Sequence, residues 1–171
     1  RDGKDYYMTH SPFYYAPGFL IWHSTDLLHW EPVCRALPEY EGSAMAPDLL
    51  KYQGRYYIYY PTSTGENYVI YADNIRGPWS KPVKLDVRGI DPGHVVGEDG
   101  KRYLFTNNGW ITPLSNDGLK VTGKSRKVYD GWEYPVNWVT EGKDMYLESP
   151  KLLYKDGYYY MMSAEGGTAG P

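Results

Sequence analysis

One motif occurs four times in this chain of 171 residues: a glycine in a polar turn is followed by an aromatic, strand-forming segment. The four glycines are Gly3, Gly54, Gly100 and Gly157, and their separations are 51, 46 and 57 residues. A glycine turn beside strand-forming residues is typical of a β-hairpin. Repeats of about 40 to 50 residues that contain such hairpins are typical of the four-stranded blades of a β-propeller. The repeat therefore predicts an all-β propeller.

The composition favours the same fold class. Tyrosine contributes 20 residues, glycine 19 and proline 13. Tyrosine favours strands while glycine and proline favour turns, so this mixture indicates many short antiparallel strands. The net charge of −3 comes without a basic stripe, which argues against nucleic acid or an anionic membrane as partner and favours a small neutral ligand. The single cysteine, Cys34, excludes an internal disulfide.

Three of the hairpins are preceded by an apolar stretch that begins near an acidic residue. The acids are Asp48, Asp91 and Glu148, and the last two each stand nine residues before their hairpin glycine. In a radial repeat, equivalent positions point toward a shared axis, so Asp91 and Glu148 are predicted to converge in one pocket. Paired carboxyl groups are what general acid–base chemistry requires. Asp48 stands only six residues before Gly54, which favours a structural or pocket-lining role.

The repeat is incomplete at both ends of the chain. Nine residues before Gly3 lies before Arg1, and only 14 residues follow Gly157. The chain is therefore interpreted as a single partial propeller domain over residues 1–171, incomplete at both ends. An open arc of blades exposes sheet edges that normally pair, so self-association, or a partner chain that completes the propeller, is expected.

Seven short segments, in order along the chain, form a set that matches one enzyme family. They are Tyr6-Tyr7-Met8, residues 17–30, Ala46-Pro47-Asp48, Gly77-Pro78-Trp79-Ser80, Ile90-Asp91-Pro92, Glu148-Ser149-Pro150 and Ala164-Glu165-Gly166-Gly167-Thr168. The set resembles glycoside hydrolase family 43, which includes β-xylosidases, α-L-arabinofuranosidases and arabinanases. The resemblance implies a five-bladed β-propeller, of which this chain covers about three and a half blades.

The resemblance also implies roles for three acids. Glu148 is similar to the general acid that protonates the departing sugar oxygen. Asp91 is similar to the aspartate that orients this acid and raises its pKa by like-charge repulsion. The third acid, the general base that activates water, belongs to an Asp-Pro element upstream of Arg1, so the isolated chain is expected to be inactive. The family inverts the anomeric centre, with acid and base roughly 6.5 to 9.5 Å apart.

Three further residues are candidates for substrate binding. The resemblance aligns Phe13 with an aromatic residue that walls the sugar subsite, and core packing is the competing interpretation of this ring. Asp48 is a candidate for lining the pocket, and His94 follows Asp91 by three residues and so stands near the predicted axis. The four histidines lack the paired spacing of a metal site. No cofactor is required by this interpretation, and a structural calcium ion is left open.

These features together predict an inverting, exo-acting glycoside hydrolase that cleaves xylosyl or arabinofuranosyl linkages of plant cell-wall polysaccharides or oligosaccharides. The alternative is a noncatalytic carbohydrate-binding propeller that has lost its general base. The stretch before Arg1 discriminates between them, because an Asp-Pro there favours hydrolysis and an Asn or Ala favours binding. The sequence has no apolar run long enough for a membrane span. The compartment is left open, with the periplasm or the exterior favoured over the cytoplasm.

Overall fold

The structure is a computed structural model of the chain, and it describes residues 1–40, 42–131 and 147–165. These residues form thirteen β-strands and one short 3₁₀ helix, and the described ranges contain no α-helix. None of their helical segments has the length and apolar character that crossing a bilayer demands. The contacts divide the chain into two compact units, Arg1–Leu85 and Asp86–Pro171.

The first unit contains two antiparallel sheets. One sheet has three strands, in the order β1 (Tyr6–Met8), β2 (Gly18–Ser24) and β3 (Glu31–Leu37). The other sheet has four strands, in the order β4 (Asp48–Tyr52), β5 (Arg55–Pro61), β6 (Asn67–Ala72) and β7 (Val83–Leu85). Each sheet follows the chain order, as expected for hairpin-connected strands.

The second unit also contains two antiparallel sheets. Its four-stranded sheet is built from β8 (Gly93–Val96), β9 (Arg102–Thr106), β10 (Trp110–Leu114) and β11 (Arg126–Lys127). The 3₁₀ helix, Asn107–Gly109, connects β9 to β10. The last sheet pairs β12 (Leu147–Lys155) with β13 (Tyr158–Glu165). The strand β8 forms an edge of its sheet, as β4 does in the first unit.

The repeated glycines make the turns that the sequence predicts. Gly54 connects β4 to β5, Gly100 connects β8 to β9, and Gly157 connects β12 to β13. Their φ angles are 83°, 72° and 84°, in the left-handed region that only glycine adopts without steric cost. The hairpin prediction is therefore confirmed for these three repeats.

Aromatic and branched side chains fill the core of the first unit. Phe19 and Ile21 of β2 pack with Ile58 and Tyr60 of β5, and all four side chains are fully buried. The rings of Phe19 and Tyr60 meet edge to face with their centroids 4.7 Å apart. Burial of each such side chain stabilises the fold by about 1.5 to 3 kcal/mol. Tyrosine-rich strands can therefore form this core, as the composition predicts.

The strand β12 contains a β-bulge next to one of the predicted catalytic acids. Glu148 pairs with Ala164 and Lys151 pairs with Met162, so β12 has one more residue than β13 over this stretch. Ser149, inside the bulge, has a φ of 50°. Such bulges usually place a glycine in this conformation, and a residue with a Cβ there costs roughly 1 to 2 kcal/mol. The bulge therefore carries backbone strain beside Glu148.

The substitution Ser149→Gly is expected to raise the free energy of unfolding by about 1 kcal/mol, because glycine has no Cβ to clash in the left-handed region. Chemical denaturation followed by tryptophan fluorescence measures the change. Lys155→Gly, on the same strand with extended backbone, is the matched control and should lower the stability. A Ser149→Gly variant that is no more stable than the parent would contradict the strain assignment.

The second unit buries an arginine. Arg102 is only 1% exposed, and its Nε donates a hydrogen bond to Nε2 of His94 at 2.9 Å. Its Nη1 donates to the carbonyl oxygen of Asn116 at 3.2 Å. Burial, together with the charge of Arg102, lowers the pKa of His94 to about 3. The imidazole of His94 is therefore neutral near neutral pH and acts as a hydrogen-bond acceptor for the guanidinium.

Acidification is expected to destabilise the protein through His94. An unfolded histidine takes up its proton near pH 6.5, whereas the pKa of the folded residue is about 3. Between these values only the unfolded state binds the proton, so the free energy of unfolding falls by up to about 1.4 kcal/mol per pH unit as the pH is lowered. His94→Gln keeps an acceptor for Arg102 without titrating and should flatten this dependence, as measured by urea denaturation at each pH.

The control for this experiment is His29→Gln. Asp26 holds the pKa of the exposed His29 above its ordinary value, so removal of this histidine should not flatten the dependence. Parallel pH dependences for His94→Gln and the parent would contradict the assignment.

Candidate active site

The fold brings Asp91 to the segment that carries Glu148. Asp91 lies two residues before β8, is 8% exposed and has a φ of 57°. Its Oδ2 accepts a hydrogen bond from the backbone N–H of Ser149 at 3.2 Å. Ser149 directly follows Glu148, so two acids that are 57 residues apart in sequence belong to one local structure. Their catalytic roles stay a prediction.

Three consecutive residues around Glu148 are held by hydrogen bonds to other segments. The N–H of Leu147 donates to Oδ1 of Asn108 at 3.3 Å. The hydroxyl of Ser163 donates to the carbonyl oxygen of Glu148 at 3.0 Å. With the bond from Ser149 to Asp91, the backbone is fixed before, at and after the half-buried Glu148. A fixed backbone is one of the conditions for orienting a catalytic acid, because the side chain starts from a fixed Cα–Cβ bond.

A pair of asparagines supports both acids, and the sequence analysis did not identify it. Asn107 exchanges two hydrogen bonds with Ile90, the residue before Asp91, at 2.8 and 2.9 Å. Asn108 binds Leu147, the residue before Glu148. Asn108 has a φ of 56°, which asparagine tolerates better than most residues. The Asn-Asn-Gly triplet at 107–109 is the turn signal that could have drawn attention to this support.

The backbones of the two acid segments touch directly at Gly93. A Cβ atom on Gly93 would lie 1.9 Å from the carbonyl oxygen of Pro150. No side chain fits in that space, so a glycine at this position is a steric requirement. The sequence motif around Asp91 and the motif around Glu148 are therefore complementary in shape as well as in hydrogen bonding.

His94, the third predicted site residue of this unit, lies on β8. Its Nε2 accepts the hydrogen bond from Arg102, which places the proton of the neutral ring on Nδ1. Substrate binding by His94 stays a prediction, and the structure adds a function for the ring as partner of a buried arginine.

The remaining candidates, Phe13 and Asp48, belong to the first unit. Phe13 is 51% exposed, which argues against core packing, and it borders an open cleft of about 570 Å³. The N–H of Phe13 donates to the carbonyl oxygen of Ala44 at 2.9 Å, and the N–H of Ala46 donates to Oγ of Ser11 at 2.8 Å. These bonds join the Phe13 loop to the segment that leads into Asp48, the first residue of β4.

Within the described ranges, no three His, Cys, Asp or Glu side chains lie close enough together to hold a metal ion. Gly166, Gly167 and Thr168 of the seventh resemblance segment lie outside the described residues.

Known proteins match the chain over almost its whole length. The family model described as "Glycosyl hydrolases family 43" matches residues 1–171. The xylosidase/arabinosidase of Butyrivibrio fibrisolvens is 32% identical over 195 residues, which cover 99% of this chain and 36% of that protein. The non-reducing end alpha-L-arabinofuranosidase of Bacteroides ovatus is 31% identical over 98% of this chain and 33% of its own length. The chain thus spans about a third of the length of these curated relatives.

Solved structures are similar over the same extent. The xylan beta-1,4-xylosidase of Bacillus halodurans has a TM-score of 0.80 and 32% identity, and the match covers 98% of this chain and 36% of that one. A family 43 protein of Bacillus licheniformis has a TM-score of 0.80 and 34% identity over 98% of this chain and 36% of its own. This similarity confirms the predicted fold class, an all-β partial propeller. With a family match that extends over every residue, the chain belongs to glycosyl hydrolase family 43.

Proposed function

We propose that the protein containing this chain is an inverting, exo-acting glycoside hydrolase. Its proposed substrates are xylosyl or arabinofuranosyl linkages of plant cell-wall polysaccharides or oligosaccharides. The observation that carries the proposal is the hydrogen bond from the Ser149 N–H to the Asp91 carboxylate, which joins one acid to the backbone beside Glu148. The names of the relatives, a xylosidase/arabinosidase and an α-L-arabinofuranosidase, support the substrate class.

In this proposal Glu148 is the general acid. Its carboxyl proton passes to the glycosidic oxygen as the bond from that oxygen to the anomeric carbon breaks. Water attacks the anomeric carbon from the opposite face and gives its proton to a general base roughly 6.5 to 9.5 Å from the acid. Asp91 keeps the Glu148 segment in position and adds a second carboxylate to the site.

The substrate-binding residues are proposed on chemical grounds. The exposed ring of Phe13 offers a flat apolar face for a pyranose or furanose ring. The carboxylate of Asp48 and the neutral imidazole of His94 can hydrogen-bond sugar hydroxyls.

Glu148→Gln is expected to lower kcat on a phenyl glycoside by about 100-fold or more, because general acid catalysis contributes on the order of 10² to 10⁴. The loss should be small on the dinitrophenyl glycoside, whose leaving group departs without a proton. Both β-xylosides and α-arabinofuranosides are assayed in the full-length protein. Glu98→Gln, an exposed glutamate of the same unit, is the matched control and should behave as the parent does.

The stereochemistry is tested on the same reactions. Proton NMR of the first-formed sugar should show the anomer opposite to that of the substrate. Near-full turnover of the phenyl glycoside by Glu148→Gln would defeat the assignment of the general acid. A parent protein that binds xylo-oligosaccharides but cleaves none of these substrates would establish the noncatalytic carbohydrate-binding alternative.

We further propose that this chain, when produced alone, associates with a second copy of itself. The strand β13 is hydrogen-bonded to β12 on one side, and among the described residues no strand pairs with its other side. Large apolar side chains are exposed on these two strands: Leu153, Tyr154, Tyr158, Tyr159, Tyr160, Met161 and Met162. An unpaired, apolar strand edge is a template for pairing with another chain.

Light scattering coupled to size-exclusion chromatography is expected to show dimers or larger species for the 171-residue chain. The substitutions Tyr160→Lys and Met162→Lys should shift the chain toward monomer, because charges on an edge strand oppose pairing. The substitutions Tyr14→Lys and Tyr15→Lys, at two residues of the first unit that are even more exposed, are the control and should leave the association unchanged. A sharply melting monomeric parent would count against the proposal.

A further inference from the structure

The segment that contains Asp91 and the segment that contains Glu148 contact each other through three consecutive residues of each segment. Asp91 accepts the hydrogen bond from Ser149, and Gly93 packs against the carbonyl of Pro150. Between them, the carbonyl oxygen of Pro92 accepts a hydrogen bond from Nζ of Lys151 at 2.8 Å. We name this contact between residues 91–93 and residues 149–151 the acid clasp.

Lys151 makes the only one of these contacts that uses a positively charged side chain. Hydrogen bonds with a charged donor are shorter and stronger than neutral ones, and this bond is shorter than the 3.2 Å bond between Ser149 and Asp91. The Lys151 side chain is half-buried. Holding a lysine side chain in one place costs rotamer entropy, and the charged hydrogen bond offsets that cost. Its ammonium also brings positive charge to a segment that contains a carboxylate.

The hydrogen bond between Ser149 and Asp91 joins two residues with strained backbone. Asp91 and Ser149, which share a hydrogen bond, both have left-handed φ angles, 57° and 50°. Residues with a Cβ persist in this region only where the surrounding structure holds them there. The bond from Lys151 to the carbonyl oxygen of Pro92, the residue after Asp91, supplies such a restraint from the Glu148 strand.

We propose that Lys151 is a positioning residue for the acid pair. It ties the carbonyl group of Pro92, the residue after Asp91, to β12 and thereby keeps the Asp91 carboxylate hydrogen-bonded to the Ser149 amide beside Glu148. Without this tether the left-handed backbone relaxes, the clasp opens, and the proton of Glu148 is no longer aimed at the glycosidic oxygen. The effect on catalysis rests on the proposed hydrolase function, whereas the clasp itself does not.

The test compares three variants of the full-length protein. Lys151→Met removes the donor but retains the length of the side chain, and Lys151→Arg retains a charged donor. Lys155→Met is the matched control, because Lys155 lies on the same strand with an exposed side chain 4.0 Å from the carboxylate of Asp156.

The first measurement is hydrogen exchange of the Ser149 amide, followed by mass spectrometry of peptides that contain it. Lys151→Met is expected to speed this exchange about tenfold, since the Ser149 amide loses its hydrogen bond to the Asp91 carboxylate. Lys151→Arg and Lys155→Met should exchange as the parent does. Parent-like exchange in Lys151→Met would overturn the clasp, whatever the enzyme's activity.

The second measurement separates positioning from a general loss of structure. Lys151→Met should lose about tenfold in kcat on the phenyl glycoside and less than about twofold on the dinitrophenyl glycoside, because only the former needs the proton of Glu148. Lys151→Arg should restore both rates. Equal losses on the two substrates would overturn the positioning role. If the parent cleaves neither substrate, the proposed function fails, and the exchange experiment still decides whether the clasp exists.

Discussion

The hydrogen bond between the Asp91 carboxylate and the Ser149 amide connects two different sheets, which are formed by segments far apart in the sequence. The donor belongs to the bulge in β12, and the acceptor belongs to the loop before β8. The bond is therefore made only when both sheets have their correct registers. Because each partner lies beside or on a predicted catalytic residue, the geometry of the site depends on this one contact between elements.

Three residues near this contact have strained backbone. Asp91, Asn108 and Ser149 all adopt left-handed φ angles, and each lies at or next to a hydrogen bond that reaches the Glu148 segment. For residues with a Cβ such conformations cost roughly 1 to 2 kcal/mol each. Regular sheet pairing on either side and the close contact at Gly93 offset that cost. Strain that is held by a stiff framework is typical of sites whose side chains must be pre-oriented.

Much of the fold could be predicted because its signals are local. Gly54, Gly100 and Gly157 mark the hairpins because a turn is decided by a few adjacent residues, and the same offset from the turn picks out Asp91 and Glu148. The support from Asn107 and Asn108 was not predicted, since an asparagine in a turn looks the same whether or not a distant strand uses its side chain. Burial of Arg102 against His94 was likewise invisible, because charged residues are ordinarily exposed.

The amino-acid sequence by itself determined the all-β class and the hairpin repeat, and it singled out Asp91 and Glu148 by their shared offset from the turns, because each of these depends on composition or on short-range spacing. Tertiary structure alone decided that the Ser149 amide meets Asp91, that Lys151 reaches the carbonyl of Pro92, and that Gly93 has no room for a Cβ. These contacts join residues nearly sixty positions apart. The distances between the contacting atoms are set by sheet packing and by the bulge in β12. Neither of these can be predicted from a local pattern of residues.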